Sequence, residues 1–197
     1  MKTKYRVLII FVLIESLIPI LTGCQCRFLT HTKTIYREGI ENYDRSMSEM
    51  SLTWCLLPSV DYLEKYPFED ANYFYKEDYN PYRFVSHIER TMIVCNYDES
   101  VYEEAKAFCL KEMDLSDSNR MEYNGYVYIE NTRMTDLAKF PEWFNVVSFN
   151  DANHCIIFLG FTESDSFKGY EENMQLAQED WGTFLVNNFG EFYDFNK

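Results

Sequence analysis

The chain has 197 residues, with 18 Lys and Arg against 32 Asp and Glu and a formal charge of −14. Its length fits one domain, and its hydrophobic fraction of 47% is enough for a packed core, which excludes an intrinsically disordered chain. Because the chain is acidic and has no cluster of Lys and Arg, it would repel phosphate backbones. Nucleic acid is therefore not expected as a partner.

The N-terminus has the pattern of an export signal. A short basic segment at residues 2–6 precedes an apolar run at residues 7–21, which contains Glu15 and Pro19. The run is shorter than the about 20 apolar residues that a membrane-spanning helix needs. A removable leader peptide is therefore a better interpretation than a permanent span.

The leader ends in Leu21-Thr22-Gly23-Cys24, in which small residues stand directly before a cysteine. In this tetrapeptide, the lipobox, and in its distance from the basic segment, the chain resembles bacterial lipoproteins. The resemblance is confined to the leader and Cys24. It implies that a diacylglycerol is attached to the Cys24 thiol and that cleavage follows Gly23. The lipid would then hold the mature chain on the extracytoplasmic face of the cell membrane.

The composition changes twice along the chain and divides it into three parts. Residues 1–23 are predicted to be the lipoprotein signal peptide. Residues 24–50 are polar, with scattered apolar positions, and are predicted to form a tether and a weak helix. Residues 51–197 are rich in aromatic and aliphatic side chains and are predicted to form a single α+β domain.

The first half of this domain is predicted to be mostly β-strand. Residues 52–57 form a short apolar run that fits a strand or a helix end. Aromatic and polar residues interleave over Tyr62–Phe84, which favours strands with one solvated face, and Asn80-Pro81 marks a turn. Residues 83–89 and 91–97 are predicted to be two further strands.

The second half contains two predicted helices. The first begins at a capping box, Ser100–Glu103, and continues as an apolar stripe to Met113. The second covers Met174–Leu185. Between the helices we predict a loop, a strand and a hairpin of two strands around a loop rich in turn formers. The predicted loop covers 114–124 and the strand 126–131. The two hairpin strands cover 144–149 and 154–161, and the hairpin loop covers 150–153.

Runs of strands separated by helices indicate an α+β domain. We expect an antiparallel sheet of about five to seven strands, with two helices packed on one face. Residues 93–100 are similar to residues 157–164, and a duplicated βββα unit would explain this. The preference of strand-to-helix junctions for capping residues explains the similarity equally well.

The cysteines favour buried thiols over a redox or zinc site. The chain has six cysteines and no CxxC pair, on which zinc ribbons and thioredoxin-type sites depend. Cys55, Cys95, Cys109 and Cys155 have apolar neighbours and are expected to lie in the core. An exported chain could also form one disulfide among these four residues.

Catalytic and metal-binding arrangements are weak in this sequence. Cys155 follows His154, but neighbours on a strand point to opposite faces and cannot act as nucleophile and base for each other. A cross-strand pair of Cys155 with His87 is disfavoured too. Four oxygen-bearing residues near the predicted loop lack the EF-hand pattern, so no metal ion and no cofactor is expected. These residues are Asp114, Asp117, Asn119 and Glu122.

The aromatic stretch is the best candidate for a partner-binding surface. Tyr73, Tyr75, Tyr79 and Tyr82 would offer rings to a protein or a glycan, and packing in the core is the alternative. The sequence therefore favours a lipid-anchored, non-enzymatic binding module. Two alternatives stay open: an extracytoplasmic hydrolase with a Cys/His site, and an acidic immunity or inhibitor protein.

Overall fold

The computed structural model describes residues 32–43, 58, 60–79, 87–112, 120–130, 143–163, 175–177 and 179–195. Within these ranges seven strands form one antiparallel sheet in the order β1-β2-β3-β7-β6-β5-β4. The strands are β1 Lys33–Glu38, β2 Asp70–Tyr79, β3 His87–Asn96, β4 Arg120–Tyr123, β5 Tyr126–Glu130, β6 Trp143–Asn150 and β7 Cys155–Glu163. The helices are a 3-10 turn Ile40–Asn42, α1 Val60–Lys65, α2 Glu99–Glu112 and α3 Trp181–Phe189. The predicted α+β class and antiparallel sheet are confirmed.

The two central strands explain the apolar runs of the sequence. β3 and β7 pair with each other over nine residue positions, from Ile88 opposite Glu163 to Asn96 opposite Cys155. A strand with neighbours on both edges and packing on both faces needs apolar residues in succession. Met92–Cys95 and Cys155–Leu159 are such runs, and all of their side chains are buried.

The sheet is covered on both faces. Successive residues of a strand point to opposite faces. Ile93 and Cys95 pack with Cys109 of α2 on the side that we call face A, which α1 also covers. Met92 packs with Phe184 of α3 on the other side, face B. The expectation that both predicted helices pack on one face was therefore wrong, because the two segments return to opposite sides of the sheet.

The alternation of side chains between face A and face B also bears on the proposed duplication. The similarity between the two segments aligns Ile93 with Ile157, but Ile93 lies on face A and Ile157 on face B. A two-fold axis perpendicular to the sheet would keep equivalent residues on one face. The duplicated βββα unit therefore gains no support from the packing, and capping preferences suffice for the similarity.

Several boundaries differ from the prediction. Residues 33–38 form an edge strand that pairs with β2, so this part of the predicted tether belongs to the sheet. One strand, β3, replaces the two strands that were expected over 83–97, and α1 occupies the beginning of the aromatic stretch. The helix at α2 and the hairpin of β6 and β7 are confirmed, with ends shifted by one or two residues.

The β4–β5 hairpin lies at the end of the predicted loop. Asn124 and Gly125 have φ angles of 47° and 78°, the left-handed conformation that a tight two-residue turn requires. The edge strand β4 lies close to α3. A Cβ atom at Gly182 would collide with the ring of Tyr123. A glycine at this position lets the helix approach the sheet.

Some predictions fall outside the described residues. These are the signal peptide, Cys24, the run at 52–57 with Cys55, and Tyr82. Among the helices that are described, none is both long and apolar enough to cross a membrane.

Candidate functional site

Face A has an apolar half and a polar half. α1 and α2 cover the half next to the β6–β7 turn, where the rings of Tyr62 and Phe158 lie 5.7 Å apart and Lys106 bonds to Asp151 at 2.5 Å. Further along the same strands, polar side chains replace the apolar ones on this face. We call four of them the polar patch: Glu89, Thr91, Asn145 and Thr162.

Strand pairing brings the patch together from three adjacent strands. Gly160 of β7 pairs with Thr91 of β3 on one side and with Asn145 of β6 on the other. Thr162 pairs with Glu89 one step further along. Gly160 contributes no side chain between Thr91 and Asn145 on this face.

The patch is buried, and the polar side-chain atoms of Thr91, Asn145 and Thr162 lack hydrogen-bond partners. The exposed fraction is 2% for Glu89, 1% for Thr91 and Asn145, and 0% for Thr162. Thr91 Oγ1, Thr162 Oγ1 and both amide atoms of Asn145 have no hydrogen-bond partner. An unsatisfied buried polar group costs about 1–3 kcal/mol, and native proteins contain few of them. Four such atoms on one patch indicate a place for a polar ligand or for ordered water.

A second acidic residue lies beside the patch. Glu77 of β2 pairs with Glu89 and lies on the same face, and it accepts a hydrogen bond of 3.0 Å from the Tyr75 hydroxyl. Burial, followed by the charges of Glu89 and Glu77, raises the pKa of Tyr75.

The predicted aromatic surface is mostly core. Tyr73 and Tyr75 are buried on face A and do not present their rings to solvent. Arg37 also lies over the Tyr75 ring, 5.7 Å from its centre. Tyr79 is half-buried at the end of β2. The expectation that Tyr73 and Tyr75 form an exposed binding surface was wrong, because they stand on the strand face that packs inward.

The described thiols are inert core residues. Cys95, Cys109 and Cys155 are free and buried, so none of them forms a disulfide. Burial raises the pKa of Cys95 to about 12 and that of Cys109 and Cys155 to about 11. Since the thiolate is the nucleophile, these thiols are poorly suited to covalent catalysis.

Neither His87 nor His154 forms a nucleophile and base pair with Cys155. His87 begins β3 and Cys155 lies beside its last residue, Asn96, on the order of 30 Å away. The ring of His154 lies 5.5 Å from that of Tyr102 on the face A side, whereas Cys155 is buried on face B. The prediction that His154 and Cys155 point to opposite sides is confirmed.

No metal centre emerges within the described ranges, where no three His, Cys, Asp or Glu side chains come close enough to hold an ion. Of the four oxygen-bearing residues considered for calcium, Glu122 lies on β4. Asp114, Asp117 and Asn119 lie outside the described residues.

The exposed acids of the described chain occur in both helical layers. Asp61 and Glu103 belong to the helices on face A, while Glu179 and Asp194 flank α3 on face B. An inhibitor of a basic protein would be expected to gather its acids on one side. This distribution does not favour the immunity or inhibitor alternative.

A second polar group lies at the β6–β7 turn. Asp151 accepts hydrogen bonds from the Tyr102 hydroxyl and from Lys106 Nζ, both on α2. These two bonds hold the pKa of Asp151 below its ordinary value of 3.8. They fix the helix to the hairpin, which is a structural role.

Replacing Asp151 by asparagine is expected to lower stability near neutral pH by about 0.2–1 kcal/mol, since the pair is largely exposed. A lowered pKa in the folded state stabilises above the ordinary value and ceases to do so as the pH falls below it. The difference in Tm between wild type and Asp151→Asn should therefore be constant above about pH 5 and vanish in stronger acid. Thermal denaturation across pH, with Glu104→Gln on α2 as a control, measures this; a gap that persists in acid would contradict the assignment.

Comparisons with known proteins give no match. No family model matches the chain, and no curated protein or solved structure does. What the chain does must therefore be inferred from its own residues.

Proposed function

We propose that the chain is a lipid-anchored, extracytoplasmic bacterial protein that binds a ligand and catalyses no reaction. The lipobox ending at Cys24 supports the anchor and the location. The polar patch supports the binding role, and it is the observation that carries this proposal. Its ligand would lie on face A, next to Thr91, Asn145 and Thr162.

The binding role accounts for the patch better than a structural role does. A core gains stability from apolar side chains or from paired polar ones, and the atoms of Thr91, Asn145 and Thr162 have neither property. Residues that keep a costly arrangement are typical of functional sites. The hydrolase alternative has less support, because the described thiols are buried and protonated and lie apart from His87.

The anchor is tested by metabolic labelling with an alkyne fatty acid. We expect label on the wild type and none on Cys24→Ser, because the thiol is the acylation site that the lipobox implies. The variant should also move from the membrane fraction to the soluble fraction, since two or three acyl chains supply the membrane affinity. Cys26→Ser is the matched control and should keep its label. Equal labelling of wild type and Cys24→Ser would contradict the anchor.

The binding role is tested by thermal shift with four classes of small polar compound: neutral sugars, sugar acids, amines and short peptides. A ligand that binds only the folded state raises Tm in proportion to RT ln(1 + [L]/Kd). We expect at least one class to stabilise the wild type and to lose this effect when the patch is changed. No stabilisation by any class would contradict a binding role for the patch.

A further inference from the structure

We infer that the lipid anchor holds the sheet in one orientation, with the Lys33 end of β1 next to the membrane surface and the β6–β7 turn facing away from it. The inference rests on the lipid anchor proposed above and specifies which part of the folded chain meets the bilayer. It follows from the length of the linker after Cys24, from the pairing of β1 and from the charges at one end of the sheet.

The linker between the lipid and the sheet is short. Residues 25–32, which we call the linker, separate Cys24 from Lys33, the first residue of β1. A chain covers at most about 3.3–3.6 Å per residue, so the backbone of Lys33 lies within about 30 Å of the acylated cysteine. The folded chain is therefore held close to the membrane surface.

The attachment point belongs to the sheet. β1 pairs with β2 along its whole length, and Lys33 lies opposite Tyr79. The ring of Tyr36 in the same strand lies 6.0 Å from the ring of Phe192 on face B. Because β1 is fixed in this way, the end of the sheet that contains Lys33 is the end that the lipid holds.

Antiparallel pairing defines two ends of the sheet. The proximal end contains Lys33, Tyr79 and His87, and the distal end contains the β6–β7 turn. β3 has ten residues and separates the two ends by about 30 Å. With the distal end on the bilayer, Lys33 would stand about 30 Å above it, and the linker would need to be fully extended. A fully extended chain has lost most of its conformations, so this inverted arrangement is disfavoured.

The charges of the distal end favour the same orientation. Four exposed acidic residues lie there, next to Asn96 at the end of β3: Glu69, Asp70, Asp98 and Glu99. A hydrogen bond with Asp98 raises the pKa of Glu69, which shows how closely these acids approach each other. Anionic lipid head groups would repel this end of the sheet.

The inference is tested by fluorescence energy transfer from one labelled cysteine to acceptor-labelled lipids. The lipidated full chain with Cys26→Ser is placed in vesicles of phosphatidylethanolamine and phosphatidylglycerol, and the label is attached at Lys33→Cys or Asn153→Cys, both exposed positions. We expect transfer from position 33 to exceed that from position 153 about twofold or more, because the two positions differ in height by about 30 Å. The parent chain without an added cysteine measures the labelling of native thiols.

A longer linker shows whether the linker sets the orientation. Insertion of about twenty Gly and Ser residues after Arg27 should lower transfer from position 33 and reduce the difference between the two positions, since such a chain is flexible. Equal transfer from both positions, or greater transfer from position 153, overturns the orientation and leaves the anchor standing. A difference that the insertion leaves unchanged also overturns the inference. Protein that takes up no alkyne fatty acid and does not stay with the vesicles overturns the anchor as well.

Discussion

Replacing Phe184 by alanine is expected to destabilise the fold by about 3–5 kcal/mol, the largest effect of any substitution considered. Phe184 is fully buried on face B, and its ring lies 5.3 Å from Phe161 of β7 and 5.2 Å from Trp181 of the same helix. The substitution therefore removes apolar contact between α3 and the sheet and leaves a cavity that the surrounding strands cannot close. Urea denaturation monitored by tryptophan fluorescence measures the loss.

Val186→Ala is the matched control on the same helix. Val186 is 43% exposed, so its truncation should change stability by less than about 0.5 kcal/mol. If both variants were equally stable, α3 would not be packed on face B. If both were equally destabilised, helix propensity rather than packing would explain the effect.

Removing the unpaired atoms of the polar patch is expected to stabilise the ligand-free protein, which is the second large effect. Thr162→Val keeps the shape of the side chain and deletes a buried hydroxyl that has no partner. The deleted group costs about 1–3 kcal/mol in the wild type, so the variant should gain up to that amount. For a chain of this size the gain corresponds to a rise in Tm of about 2–4 °C per kcal/mol.

Whether Thr162→Val raises or lowers stability discriminates between a binding role and a structural role of the patch. Thr91→Val should behave like Thr162→Val, and the two gains should add only in part because the residues are neighbours. Thr34→Val is the control. The Thr34 hydroxyl donates to Asp78 at 2.5 Å, so loss of this hydroxyl should lower stability slightly or leave it unchanged. A clear loss of stability in Thr91→Val and Thr162→Val would mean that these hydroxyls are paired structurally, and the binding role would lose its support.

Patterning alone predicted the centre of the fold. The apolar runs of β3 and β7 and the stripe of α2 are strong signals, and all three elements are present. The weaker signals failed at the edges of the sheet. β1 is polar because one of its two edges and much of its surface face solvent, so it resembled a tether. β4 is four residues long, and the Asn124-Gly125 pair, which favours a tight turn between strands, was the clue that would have revealed it.

The candidate site could not be predicted in the same way. Thr91, Asn145 and Thr162 are far apart in sequence and are unremarkable in any local window. Only the register of three strands places them on one face around Gly160, and no periodicity shows which strands are neighbours. The aromatic residues were conspicuous, but the side to which Tyr73 and Tyr75 point depends on where α1 and α2 return. Burial, rather than composition, decided their role.

The position of β7 has a consequence for how the chain folds. β7 lies between β3 and β6, so the middle of the sheet joins the first half of the chain to its last third. As the exported chain emerges, β1, β2 and β3 come before β7, and one edge of β3 stays unpaired until Cys155–Glu163 follows. Pairing over such sequence distances closes large loops and is slow, and an unpaired edge invites association with other chains. We therefore expect the sheet to assemble late and cooperatively. The species that a chaperone would need to protect is the partial sheet of β1, β2 and β3.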